Sequence, residues 1–265
     1  MHATSPFSLE NKTALVCGAS KGIGRATALE LAKLGAKVHL LARTESSLHE
    51  LQNEMASLGL AQGECLALDM ENSEELRSRV EQILVTKGPI HILINNSGGP
   101  SPGPALKADP QEFVSGMKRH IFAAQTLVQC CLPGMEAQSF GRIINVISTS
   151  VKEPLPNLGV SNTLRGAMAS WAKTVAMELP RGVTINNILP GYTNTHRLKS
   201  LVKATAEKRG CSTEQVEKEW IQTIPEGRFA DAQEIAYAIC FLASPAASYV
   251  RGISLAVDGG RIKSL

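Results

Sequence analysis

The sequence predicts an α/β fold: a single doubly wound, Rossmann-type domain with a parallel seven-stranded sheet and helices on both faces. Three observations carry this. Short apolar, β-rich runs alternate with segments of helical periodicity along the chain. The first run passes directly into a glycine cluster that opens the first helix. No internal repeat or flexible linker divides the 265 residues, a length that suits one large domain. Strands separated by helices run parallel through right-handed crossovers, and continuous apolar runs are read as buried on both faces. Ligands of such sheets bind beyond the carboxyl ends of the strands.

The elements follow in order. "TALVCG" (13–18) is the first strand. In "GRATALELAKLG" (24–35), Ala28, Leu31 and Ala32 fall at i, i+3 and i+4, and Gly35 supplies the stop. The remaining strands are "KVHLLA" (37–42), "ECLALD" (64–69), "IHILIN" (90–95), "RIINVIS" (142–148), "VTINNIL" (183–189) and "SLAVDG" (254–259). Helical periodicity covers about 45–58, 73–87, 111–137, 160–179 and 231–243. The rhythm breaks at 192–224, which is polar, helix-prone and without a strand. A long excursion of this kind in a compact domain is a binding loop or lid.

Composition narrows the partners. Aromatic residues are only 4%, so the core should be aliphatic. A net charge of +3 with no basic block argues against nucleic acid as the main partner. No apolar run approaches the roughly 18–20 residues that span a bilayer. The opening "MHATSPFSLENK" has neither a basic start nor an apolar run, unlike a secretory signal. Six cysteines lie scattered in apolar segments with no C-x-x-C pair, as expected of reduced, buried thiols in a cytoplasmic protein.

The glycine cluster "CGASKGIG" (17–24) is the first chemical motif. Gly18 allows a tight turn, Gly22 lets backbone approach a pyrophosphate, and Gly24 allows close packing of helix on strand. Ser20, Lys21 and Ile23 complete the loop, and the helix N-terminus offers N–H groups to an anion. NAD would be favoured by a carboxylate ending the second strand. Arg43 stands there instead, and Lys21 lies inside the loop, so the 2′-phosphate of NADP is the better fit. Asp69, followed by Met70, is read as ending the third strand, where its carboxylate either accepts from an adenine amine or caps a turn. "NNSG" closes the fourth strand with Asn96, Ser97 and Gly98, either as a turn against the cofactor or as an ordinary polar turn. No metal-ligand pattern appears.

These motifs, with "GRIINVIS" (141–148), "LPGYTNT" (189–195), "IPEGRFADAQEIAYAICFLASPAASYV" (224–250) and "VDGG" (257–260), resemble the short-chain dehydrogenase/reductase family over about residues 9–260. Within that family the chain is most similar to the β-ketoacyl-acyl-carrier-protein reductases. The resemblance implies NADP(H)-dependent hydride exchange with a carbonyl or alcohol and a homotetramer or homodimer. It also implies a nicotinamide site flanked by Pro190, Gly191 and Thr195, a substrate cover at 192–224, and subunit contacts from the Arg228 segment and the last strand.

The family's catalytic Asn, Ser, Tyr and Lys map onto His120, Ser148, Ser161 and Arg165, so only Ser148 matches. A tyrosine phenol beside a cation can give up a proton near neutrality. An aliphatic hydroxyl such as that of Ser161 donates a hydrogen bond but does not ionise there, and Arg165 keeps its charge without releasing its proton. Charge positioning is therefore expected to survive while the proton relay is broken. His120 is either a substitute proton group or a helix histidine bonded to backbone. Tyr192 is either a swinging phenol or a lid ring packed on apolar surface. The leading expectation is a divergent reductase of a carbonyl, with a small molecule or a 3-oxoacyl thioester as substrate. The alternatives are a redox sensor or partner subunit without turnover, and a different reaction with water or His120 as acid.

Overall fold

The computed structural model describes residues 5–264. Met1–Thr4, the start of the N-terminal stretch read above, and Leu265 lie outside the described residues. One parallel sheet organises the molecule, built from β1 (Thr13–Cys17), β2 (Lys37–Ala42), β3 (Gln62–Ala67), β4 (Ile92–Asn95), β5 (Gly141–Val146), β6 (Val183–Pro190) and β7 (Ser254–Val257). Their order is β3-β2-β1-β4-β5-β6-β7. The order reverses beside β1, so β1 and β4 part at their carboxyl ends and leave a crevice there.

Side-chain alternation sends Ala14 and Val16 of β1 to one face and Leu15 and Cys17 to the other. The first face packs on α1 (Gly22–Lys33), α2 (Glu45–Ser57) and α9 (Ala232–Ala243). The second packs on α3 (Ser73–Lys87), α5 (Ala123–Ala137) and α6 (Gly159–Glu178). Both layers are aliphatic, as the scarcity of aromatics predicts: no Phe, Tyr or Trp is fully buried among the described residues. Each fully buried Leu or Ile contributes about 1.5–3 kcal/mol relative to exposure.

Burial on both faces holds for the central strands and fails at the edges. β3 and β7 stay partly exposed because each pairs on one side only. β3 also starts and ends earlier than its apolar run suggests. Asp69 therefore does not end the strand; it sits in the turn beyond it, where its carboxylate accepts from Glu71 N at 3.0 Å. The six cysteines are free, but only Cys17, Cys131 and Cys240 are buried, the other three being half-buried. Burial pushes the Cys17 and Cys240 thiols up to about 12, which makes them inert.

Two features aim side chains at the crevice. The helix expected at 111–137 is interrupted: α4 (Pro110–Met117) passes through a π-helical turn at Lys118–Phe122 before α5 resumes. Asp109 and Glu112 cap its start reciprocally. Across the carboxyl half of the sheet, Asn95 donates to Asn145 at 2.8 Å, Asn145 to Asn187 at 2.9 Å, and Asn187 to Ser254 Oγ at 3.1 Å. This ladder ties four strands together just below the site and leaves Asn95 Oδ1 buried without a partner.

The excursion at 192–224 folds as α7 (His196–Arg209) and α8 (Thr213–Gln222). Leu198, Val202, Ala206 and Val216 form a small core of its own. The Tyr192 ring stacks on Trp220 at 4.7 Å, meets the edge of Phe229 at 6.0 Å, and carries the Arg261 guanidinium 4.8 Å from its centre. Tyr192 is thus a packing ring of the excursion rather than a swinging phenol. No helix among the described residues is long and apolar enough to cross a membrane.

Candidate active site

The glycine turn has the geometry of an anion cradle. Gly18 and Gly22 both take left-handed backbone (φ +61° and +58°). A Cβ on Gly18 would strike the Asn96 side chain, and one on Gly24 would overlap the Gly18 carbonyl. Asn96 holds the turn from the far side, its amide donating to Cys17 O at 3.2 Å and Gly18 O at 3.4 Å. α1 begins at Gly22 with no side-chain cap and no acidic residue in its first turn. These backbone groups suit a dinucleotide pyrophosphate. Ser20 and Ile23 are half-buried in the same turn. Lys21 and Arg43 are exposed at the carboxyl ends of β1 and β2, and neither has an ion-pair partner among the described residues.

On the other side of the crevice, Gly191 N bonds Val257 O at 3.0 Å, and a Cβ on Gly191 would collide with the Asp258 backbone. Pro190 and Gly191 are thereby pinned to β7. Thr195 caps α7, accepting from Leu198 N, and its methyl group reaches the space above Gly22. The excursion therefore starts directly over the glycine turn. Gly98 differs from expectation. Its backbone is not left-handed and a Cβ there would meet nothing, so the turn itself does not require glycine.

Between these walls lies a cavity lined by Met70, Asn95, Asn96, Ser97, Arg119, His120 and Arg165 together with apolar residues of β5, α5 and α6. The π-helical turn delivers His120 into it, 6% exposed. Ser97 Oγ lies 2.6 Å from His120 Nδ1. Burial, then the charges of Arg165 and Arg119, hold the imidazole well below its ordinary pKa, against a smaller opposing bond to the Gly98 backbone. His120 is neutral at physiological pH. His120 thus has a hydroxyl partner in Ser97 and a backbone partner at Gly98.

Arg165 is buried on α6 and donates to Val146 O at 3.0 Å, anchoring the helix to the end of β5. Burial, then repulsion from Arg197, pulls it down to about 10, which leaves it charged. Ser148 caps the short turn after β5, its Oγ accepting from Ser150 N at 3.0 Å, so its own hydrogen is free to donate. Ser161 is half-buried on α6, one turn before Arg165 and on the same face. Neither Ser148 nor Ser161 lines the cavity that joins Ser97, His120 and Arg165.

One contributor escaped the sequence reading, and a second was read only as one cation of a basic lid, suited to an anionic carrier or to a solvated helix face. Asn95 reads as an ordinary strand residue, although its place in "NNSG" beside Asn96 was the available signal. Arg197 was one of several basic residues in 196–210. The structure turns it inward, where Nη2 donates to Pro100 O at 2.6 Å. Arg119, also on the cavity wall, is neutralised by Glu71. Among the described residues, no group of three or more His, Cys, Asp or Glu side chains is placed to hold a metal.

The chain matches the family model described as Enoyl-(Acyl carrier protein) reductase over residues 18–261. This protein belongs to the short-chain dehydrogenase/reductase family. It is 35% identical over 257 residues to the 3-oxoacyl-acyl-carrier-protein reductase FabG of Vibrio cholerae, covering 96% of this chain and 98% of the relative. It superposes on the L-sorbose reductase of Gluconobacter frateurii, solved with NADPH and L-sorbose, with a TM-score of 0.91 and 29% identity over 98% of this chain and all of that one. The NADPH dependent reductase YwfH, involved in bacilysin biosynthesis, aligns with a TM-score of 0.90 and 28% identity over 96% of this chain and 99% of that one. The parallel sheet, its crevice and the glycine turn all fall within the shared region.

Proposed function

We propose that this protein is an NADP(H)-dependent carbonyl reductase that has replaced the family's tyrosine relay with a serine–histidine pair. The observation that carries the reading is the Ser97–His120 contact of 2.6 Å, on the wall of a cavity that the charged Arg165 also lines. NADP(H) fits two of these relatives, YwfH, named as NADPH dependent, and the L-sorbose reductase solved with NADPH. It also fits the unpartnered cations Lys21 and Arg43, to which a 2′-phosphate would bind. Gly18, Gly22 and Gly24 would hold the pyrophosphate, Asp69 and Met70 the adenosine side, and Pro190, Gly191 and Thr195 the nicotinamide side. When bound, the cofactor supplies the hydride.

The chain's own residues then have separable tasks. Ser148 donates a hydrogen bond to the substrate oxygen while one of its two lone pairs accepts from Ser150 N. Ser161 adds a second hydroxyl on the same side. Arg165 holds ribose hydroxyls and stabilises negative charge as it develops on the oxygen. Ser97 Oγ–H gives its proton to that oxygen as His120 Nδ1–H gives one to Ser97 Oγ, and a solvent proton delivered through water is taken up at His120 Nε2. A neutral imidazole can pass a proton from one nitrogen to the other without becoming a cation, so its low pKa is compatible with this role. The cavity behind His120 has room for about one water, with Asn95 Oδ1 as an acceptor. The excursion 192–224 closes over the substrate as a lid. The exposed Tyr237 and Phe241 on α9 and Val114 and Phe122 on the α4–α5 helix support a homo-oligomer.

The test is NADPH oxidation with a short 3-oxoacyl thioester and with small keto compounds, comparing the native protein with a Ser161→Tyr/Arg165→Lys double variant. Turnover by the native protein is expected. Turnover by the double variant alone would overturn the serine–histidine reading.

A further inference from the structure

We infer that the substrate carries a carboxylate, placed between Arg165 and Arg197. This deepens the reductase reading above and rests on it. The two arginines come from different elements, Arg165 from α6 and Arg197 from the first turn of α7, and converge above Gly99. A Cβ on Gly99 would lie 3.4 Å from Arg197 Nη2 and 3.8 Å from Arg165 Nη2. Each guanidinium has one backbone carbonyl as its hydrogen-bond partner, Val146 O or Pro100 O, and neither has a carboxylate among the described residues.

Two neighbouring, partly buried cations without a counter-charge repel each other and are costly to desolvate. Arg119, which lines the same cavity as Arg165, shows the usual remedy: it is paired with Glu71. No acidic residue lines the cavity that Arg165 borders, and Arg197 has no ion pair among the described residues. The cofactor's own anions belong to the glycine turn and to Lys21 and Arg43, at the other end of the crevice. The missing negative charge must therefore arrive with the substrate. Each guanidinium has N–H groups to spare, in the planar fork that suits a carboxylate. Gly99 contributes by leaving the space between the forks open. Arg197 belongs to the lid, so the substrate charge would also draw α7 onto the loop at Pro100. A 3-oxoacyl thioester offers no charge next to its carbonyl and would leave the pair unsatisfied.

The test uses the full-length protein and matched pairs: 2-, 3- and 4-oxohexanoate, their methyl esters, and the N-acetylcysteamine thioester of 3-oxohexanoate. The native protein should prefer at least one acid over its ester by about tenfold or more in kcat/KM, the order expected of charge-assisted hydrogen bonds. Arg197→Gln should raise KM for the acid and bring the preference toward parity. Arg209→Gln, on the exposed end of the same helix and paired with Glu219, should leave the preference unchanged. Esters or the thioester reduced as well as every acid would overturn the inference while leaving the reductase reading intact. A proportional fall for acid and ester in Arg197→Gln would also overturn it, making Arg197 a lid latch only. Calorimetric titration of the acids into the NADP⁺-loaded protein separates the two readings. Acid binding that is lost in Arg197→Gln supports the carboxylate site even if no compound is reduced, whereas absence of acid binding to the native protein sinks it. A phosphate ester that outcompetes every acid in the same titration would overturn the carboxylate assignment as well.

Discussion

Replacing Ser97 with alanine removes one oxygen and isolates the proposed proton path. The Ser97–His120 contact is 2.6 Å and His120 is 6% exposed, so the ring nitrogen loses its partner where only the one water that fits the cavity could replace it. Leaving a buried polar group unpaired costs about 1–3 kcal/mol of stability, readable as a lower urea midpoint. The effect on turnover should be larger in kind. Loss of a positioned proton donor lowers kcat by about 10²–10⁴-fold, and it should do so with little change in the dissociation constant of NADPH, since neither group belongs to the glycine turn. His120→Ala should fall in the same range. The Ser97→Ala/His120→Ala double variant should be hardly slower than either single one, because two links of one relay cannot be broken twice.

Steady-state NADPH oxidation gives the rates and cofactor fluorescence the binding. The pH profile adds an independent reading. His120 titrates well below the ordinary histidine range because burial and two arginines oppose its charge. Its protonation should therefore leave no limb near pH 6.5, and kcat/KM should be flat from about pH 6 to 8. A limb centred on 6.5 that disappears in His120→Ala would refute the assignment of a neutral imidazole. Multiplicative effects of the two substitutions would refute the shared relay.

Three further outcomes follow from the geometry. Burial lowers His39 from 6.5 to about 4, and its Nδ1 accepts from Glu64 N at 2.8 Å while Nε2 has no partner. The folded state therefore resists protonation, stability is full above pH 6.5, and about 1.4 kcal/mol is lost per unit as pH falls from 6.5 toward 4. Urea midpoints at pH 7.5 and 5 should show about 2 kcal/mol more acid loss in the native protein than in His39→Asn, and equal losses would refute the assignment. Gly24→Ala drives a Cβ into the Gly18 carbonyl and should weaken NADPH binding about tenfold or more, together with a stability cost of about 1–3 kcal/mol; unchanged binding would remove the cradle from that turn. Lys21→Ala/Arg43→Ala should cut the preference for NADPH over NADH in kcat/KM by about tenfold or more while sparing NADH, and an unaltered ratio would place the 2′-phosphate elsewhere.

The parts of this molecule that were legible in sequence are those governed by local pattern. The alternation of apolar runs and helical periods located all seven strands, and the glycine spacing located the cofactor end, because both reflect constraints that neighbours in sequence impose on each other. The parts that were not legible depend on what arrives from elsewhere in the chain. Asp69 looked like a strand end because it closes the apolar run of "ECLALD", yet β3 is an edge strand whose pairing with β2 decides where it stops. The π-helical turn at Lys118–Phe122 leaves no signature in a segment whose periodicity reads as one helix, and it is this turn that carries His120 into the cavity. Arg197 was indistinguishable from the solvated cations of α7 until the fold set Pro100 beneath it.

The altered catalytic positions hold together as one change. A lysine can both hold charge and surrender a proton; an arginine does only the first. Once Arg165 stands in that position, a phenol at Ser161 would have a fixed charge beside it and no onward path for its proton, so the phenol loses much of its use. The path must leave through another group that is already bonded to the site. Of the residues lining the cavity, His120 alone can accept a proton at one ring nitrogen while giving one from the other, and it touches Ser97. Simple decay of an enzyme would leave these substitutions uncorrelated. Here a fixed cation, a buried imidazole and a hydroxyl bonded to it occur together, and a second arginine lies beside the first above Gly99. That combination argues for a site rebuilt around permanent positive charge, with its proton supply moved from α6 to the helix that faces it.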